Sequence, residues 1–224
     1  MYADENCLVI NKRCGEAVGG TRGAIAELPY LLGDYCGVGG FQPVAAHRLD
    51  VPVSGACVFA RNPESAAFLS DAFARGLTEK YYWAVLEKPS GAFALPESGT
   101  LTHWITADGK RNKSFAHSEA VSDSKKGELR YRILGYGERY FFMEIQLITG
   151  RHHQIRCQLA AEGLRIKGDL KYGASRSEPS GGIKLHSRRI AFPDPARSGE
   201  RICVSAPPPS PDKLWSICEG FSSF

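Results

Sequence analysis

This chain predicts an α+β fold made of antiparallel hairpins with a few helices, and three observations carry that prediction. Residues 128–135 and 140–149 both alternate apolar and polar side chains with period two, around a glycine-bearing turn. Residues 62–76 place apolar side chains at helical spacing between a start and a stop signal. The repeating strand–helix–strand order of a parallel sheet does not occur.

The elements follow in order. Residues 7–11 read as a short apolar strand. Residues 13–46, rich in Gly and small side chains, read as loops with one short helix near 24–32. Residues 56–60 form a continuous apolar run, the pattern of a buried strand. Asn62 is placed to cap a helix, with Pro63 at its first position and Glu64 in its first turn. Phe68, Leu69, Ala72 and Phe73 then recur at helical spacing, and Gly76 ends the helix. Residues 81–87 read as a strand, and 88–127 as short strands with long connections.

In the hairpin, Leu129, Tyr131 and Ile133 share one face with Arg130 and Arg132 on the other. Phe141, Met143, Ile145 and Leu147 repeat the pattern on the second strand, leaving one wetter side. Residues 151–162 read as a helix with Ile155, Leu159 and Ala160 inward and Gly163 as its stop. An irregular tail through Pro207, Pro208, Pro209 and Pro211 precedes Leu214 and Trp215.

A chain of 224 residues buries a sizeable core. No apolar stretch approaches the roughly 20 residues of a membrane span. The start, Met1-Tyr2-Ala3-Asp4-Glu5, has no basic or apolar leader, so no signal peptide is expected. Cysteines stand at 7, 14, 36, 57, 157, 203 and 218 with no CxxC, which suits reduced thiols in a cytoplasmic protein and not a disulfide framework or a zinc site. Charge is uneven. Residues 1–100 carry 8 Lys and Arg against 11 Asp and Glu, and the remainder 20 against 13. A basic second half points to a polyanionic partner.

Three blocks carry chemistry. His47-Arg48-Leu49-Asp50, with Ser54-Gly55 after it, sets a carboxylate beside a guanidinium just ahead of a buried strand. Glu79-Lys80-Tyr81-Tyr82 adds a phenol. On a strand only one of the two tyrosines faces a given side. Gly150-Arg151-His152-His153-Gln154-Ile155-Arg156 adds cations and imidazoles, with His152 and Arg156 on one face if the helix is regular. His47, His152, His153 and His186 lack both an HExxH pattern and a carboxylate set, so no metal is expected.

In this order, the blocks resemble the RluA family of pseudouridine synthases, which carries HRLD with S-G, then K-x-Y, then G-R-x-H-Q-I-R. The opening Tyr2-Ala3-Asp4-Glu5-Asn6-Cys7-Leu8-Val9-Ile10-Asn11-Lys12 and the late Gly168-Asp169-Leu170-Lys171-Tyr172-Gly173 and Leu185-His186 resemble its first strand and closing motifs. Lys12 departs from the pattern, being followed by Arg13-Cys14-Gly15 in place of Pro-x-Gly.

The resemblance implies a single catalytic domain over 1–224, with a mixed, largely antiparallel sheet, flanking helices and a central cleft. It also implies an isomerase acting as a monomer on uridines of tRNA or rRNA, with no S4-type RNA-binding domain before it. It makes Asp50 the catalytic carboxylate and Arg156 its partner, since a guanidinium in reach fixes the direction of a carboxylate. Tyr82 becomes the base-stacking and proton-accepting residue. Arg48 becomes the side chain that fills the place left by the extruded base. His47, Lys80, Arg151, His153 and Ile155 become contacts to RNA or supports of the cleft. The reaction is an isomerisation, so no redox or nucleotide cofactor is expected. Whether Asp50 adds covalently or removes a 2′ proton stays open. Rival readings are a non-catalytic RNA-binding module, supported by the basic half, and a small-molecule hydrolase, which lacks a nucleophile elbow.

Overall fold

The computed structural model describes residues 1–19, 28–29, 31–32, 40–89 and 95–222. The helix expected near 24–32 falls largely outside them. The strands at the start are β1 (Tyr2–Ala3), β2 (Cys7–Lys12), β3 (Val44–Ala45) and β4 (Ser54–Ala60), followed by helix α1 (Pro63–Ala74). Then come β5 (Glu79–Glu87), β6 (Ser98–Asp108), β7 (Lys113–His117), β8 (Lys125–Tyr136) and β9 (Tyr140–Leu147). Helix α2 (Gln154–Ala161), β10 (Arg165–Ile166), a 3-10 turn (Leu170–Tyr172), β11 (Leu185–Pro193), β12 (Arg201–Ser205) and α3 (Lys213–Ser222) complete the chain. Two compact units divide it: residues 1–80 with 186–209, and 81–185 with 210–224.

In the first unit β2 pairs with β1 and β4, β4 with β3, and β11 with β12, all antiparallel. The β4–β11 pair is parallel and sets Ser187 against Gly55. Gly55 has φ +115°, and a Cβ on it would lie 2.3 Å from the Ser187 carbonyl oxygen. Only glycine permits both the backbone and the approach. The core is the apolar run of β4 with Val9, Ile190, Phe192 and Val204, covered by Leu69 of α1. That helix starts as expected: Asn62 Oδ1 accepts the Ser65 N–H at 2.8 Å, and Gly76 follows the last turn at φ +70°. Ser65, Leu69 and Ala72 form its buried stripe, while Phe68, one position off it, stays 42% exposed.

In the second unit the strand order is β5-β9-β8-β6-β7, antiparallel throughout, with β10 on β5. Phe141, Met143, Ile145 and Leu147 are buried as the alternation requires. Phe142, on the opposite face, is buried too, because α3 lays Trp215 and Cys218 over it. Asp212 caps α3, accepting the Leu214 and Trp215 amides at 3.0 and 3.2 Å, and pairs with Lys184.

Two expectations are corrected here. Residues 98–108 form one long strand with a four-residue turn, not short strands with long connections. Thr and His hide its period: Leu101, His103 and Ile105 are buried, whereas Thr102 is exposed and Trp104 and Thr106 half-buried. The helix expected from residue 151 starts at Gln154, because His153 sits at φ +51° in the left-handed region. His152 is therefore off the helix and shares no face with Arg156.

Candidate active site

The HRLD block lies in the first unit. Arg48 is exposed, Leu49 is buried and Asp50 is half-buried. Asp50 opens a tight turn closed by the Val53 N–H on its carbonyl at 3.0 Å. Val51 anchors that turn, its carbonyl accepting the Gly15 N–H at 2.9 Å and the Lys12 ammonium at 3.1 Å. The same ammonium donates to the Arg13 carbonyl at 2.8 Å. Lys12 is fully buried, and desolvation brings it down to about 8 against the pull of negative neighbours that include Asp50. A side chain at the end of β2 thus acts on the turn that carries the candidate carboxylate.

Two histidines pack against β4, which follows the turn. His47 lies flat on Phe73, with centroids 4.8 Å apart, and its Nε2 accepts the Val58 N–H at 3.2 Å. Burial, helped by the nearby Lys80 ammonium, pushes it down to about 3. His186 is held at about 4 by burial. Its hydrogen bonds assign one tautomer: Nε2–H donates to the Ala206 carbonyl at 3.1 Å, and Nδ1 accepts from the Ser54 hydroxyl at 2.9 Å. Lys80 is buried, which lowers its affinity for a proton.

The other blocks lie in the second unit. Tyr82 on β5 is 5% exposed and Tyr81, its neighbour on the opposite face, half-buried. Arg156 is 5% exposed on α2, and its Nε and Nη2 grip Asp169 Oδ2 and Oδ1 at 2.7 and 2.8 Å. Its Cζ lies 5.0 Å from the Tyr172 ring centroid. The Tyr172 hydroxyl donates to the Ser114 carbonyl at 3.1 Å and accepts the Ser114 N–H at 2.8 Å. His153 Nδ1 meets the same oxygen at 3.0 Å, and its ring stacks on His152. Burial pushes the Tyr172 phenol up to about 12, so it stays protonated.

Gln154 ties the start of α2 to the sheet, accepting from the Thr149 hydroxyl at 2.8 Å and the Arg151 amide at 2.9 Å. Arg151 is exposed, with its Nε on the Lys126 carbonyl. Ile155 is a core side chain, 5% exposed.

Lys12, Asp169 and Tyr172 were visible in the sequence as parts of the opening and closing motifs, but with no role. A lysine ending an apolar strand and an aspartate after Gly168 are the signals that could have found the first two. Among the described residues no group of three or more His, Cys, Asp and Glu side chains is placed to hold a metal ion. Nor is any described helix long and apolar enough to cross a membrane.

Known proteins resemble this chain in sequence and in fold. A family described as RNA pseudouridylate synthase matches residues 6–161. An uncharacterized RNA pseudouridine synthase of Zymomonas mobilis is 32% identical over 201 residues, 85% of each chain. Ribosomal large subunit pseudouridine synthase C of Rickettsia conorii is 31% identical over 205 residues, 86% of this chain and 62% of that one. In fold, the chain is similar to human RNA pseudouridylate synthase domain containing 1, with a TM-score of 0.72 at 21% identity over 100% of this chain and 94% of the other. The matched segment takes in the HRLD, K-x-Y and H-Q-I-R blocks together, and so the chain belongs to the RNA pseudouridylate synthase family, an isomerase family.

Proposed function

We propose that this chain converts specific uridines of tRNA or rRNA to pseudouridine, acting in the cytoplasm as one catalytic domain with Asp50 as the reacting carboxylate. The observation that carries the reading is the turn at 50–53. A half-buried carboxylate at the mouth of a buried strand is anchored through Val51 by an ammonium and a backbone amide. Groups held this firmly serve chemistry that needs a fixed attack direction.

The reaction breaks the bond from uracil N1 to the sugar C1′, turns the base over and joins C5 to the same C1′. The hydrogen on C5 leaves and N1 gains one, so atoms and oxidation state balance. Asp50 acts at the sugar or base. Tyr82, whose ring is fixed on β5, supplies a stacking surface and an oxygen for the C5 proton. Arg156 completes the catalytic set. Arg48, exposed beside Asp50, is free to reach into the stack that the uridine leaves, offsetting part of the few kcal/mol that extrusion costs. The Rickettsia conorii relative is named for the large ribosomal subunit, which favours rRNA among the candidate targets.

The test is tritium release from unmodified RNA labelled at uridine C5, offered as a panel of tRNA and rRNA transcripts to wild type and Asp50→Ala. Release by wild type alone is expected. Equal release by Asp50→Ala would remove Asp50 from the chemistry. RNA binding with no release by either protein would favour a binding module.

A further inference from the structure

Four cations gather at one place in the second unit, outside the three motif blocks. The β6–β7 turn, residues 109–112, carries Lys110 and Arg111, both exposed, and Lys113 follows it. Lys171 of the 3-10 turn donates its ammonium to the Asn112 carbonyl at 2.8 Å. The carboxylate on this turn is Asp108, 3.6 Å from an Arg111 side chain that is 75% exposed. That is a weak rim pair. Lys110 and Lys171 have no acidic partner among the described residues.

A tip bearing charge only for solubility needs no fixed shape, yet this one is pinned. Asn112 takes φ +47°, and its Oδ1 meets His152 Nε2 at 3.2 Å. Ser114, two residues on, binds His152 Nδ1 through its hydroxyl at 2.8 Å and Tyr172 through its backbone. Lys113 Nζ lies 5.1 Å from the Tyr172 ring centroid, the same ring that Arg156 covers at 5.0 Å. One aromatic ring therefore links the basic turn to a candidate catalytic arginine. On β7, Phe115 is 37% exposed, with the Lys113 ammonium 5.6 Å from its ring centroid. The opposite face of this hairpin packs Ile105 and Ala116 onto Cys157 and Ala160 of α2.

We infer that the β6–β7 hairpin is an RNA-docking arm that holds a non-duplex strand next to the target uridine. Lys110, Arg111 and Lys171 meet its phosphates, and Phe115 stacks on a base. The inference deepens the RNA-modifying reading and rests on it. Phosphates call for exposed cations without acidic partners, and unstacked bases call for exposed aromatic faces. A preformed tip has less conformational freedom to lose on binding.

The experiment measures affinity for the same tRNA and rRNA transcripts by fluorescence anisotropy across a salt series. It uses wild type, Lys110→Gln/Arg111→Gln and Phe115→Ala, each purified and checked for native circular dichroism. The charge variant is expected to lower the slope of log K on log salt by about 0.7 per cation removed. Phe115→Ala should weaken binding about tenfold at every salt without changing the slope. Wild-type affinity and slope in both variants would overturn the arm, as would the absence of salt-dependent binding by wild type on every transcript. Binding needs no turnover, so a failed tritium assay beside intact salt-dependent binding would refute the synthase reading and leave the arm standing.

Discussion

Arg156 and Asp169 form a two-point ion pair inside the second unit, at 2.7 and 2.8 Å, with side chains 5% and 2% exposed. Asp169 sets the plane of the guanidinium, and the face of Tyr172 sets its tilt. A residue from the closing motif thus orients a residue from the H-Q-I-R block.

Removing Asp169 takes the two-point contact from a buried guanidinium. Asp169→Asn is expected to cost about 3 kcal/mol or more in urea unfolding. The double variant Arg156→Met/Asp169→Leu should recover part of that loss and remain inactive. A loss below about 1 kcal/mol in Asp169→Asn would show that the pair is not structural.

Tyr172→Phe deletes the oxygen shared by the Ser114 amide, the Ser114 carbonyl and His153. A buried donor left without its acceptor costs about 1–3 kcal/mol. Hydrogen exchange at the Ser114 amide should speed up, while amides of β8 and β9 stay protected. Unchanged protection at Ser114 would contradict this role.

Acid should weaken the first unit through His186. Its folded value of about 4 lies below the unfolded value of about 6.5. Between those values the unfolded chain binds the proton and the folded one does not, so stability falls as pH falls through this window. The group alone should cost about 2 kcal/mol on going from pH 7 to pH 5. His47, held at about 3, acts in the same direction. Urea midpoints at the two pH values check this. His47→Gln should shallow the decline, and an equal decline in that variant would exclude a contribution from His47.

Gly55→Ala sets a methyl 2.3 Å from the Ser187 carbonyl oxygen at φ +115°. Both clash and backbone strain oppose it, so a loss of several kcal/mol or insoluble protein is expected, strain alone costing about 1–3 kcal/mol. Gly15→Ala, at φ +90° with nothing within 4 Å, should cost about 1 kcal/mol. Thermal unfolding of the two side by side separates them. Equal losses would mean that the β4–β11 contact yields freely.

Local signals make the strands of the 128–149 hairpin, the Asn62-capped helix and the buried run of β4 legible in the sequence. Each depends on neighbours two to four residues away, and periodicity and capping report on those directly. The left-handed His153 is not legible there. Its conformation rests on a hydrogen bond to Tyr172, 19 residues away, and on the stacked His152.

By itself the sequence determined the types of β2, β4, α1, β5, β8, β9 and α2, the uneven charge and the three motif blocks that mark the family. Tertiary structure alone decided that Lys12 would anchor the Asp50 turn, that Asp169 would grip Arg156, and that a basic turn would be pinned to the ring beside it. The physical reason is range. A period or a cap is set within a few residues, whereas a buried charge takes its partner from whichever distant segment the sheet brings within hydrogen-bonding distance.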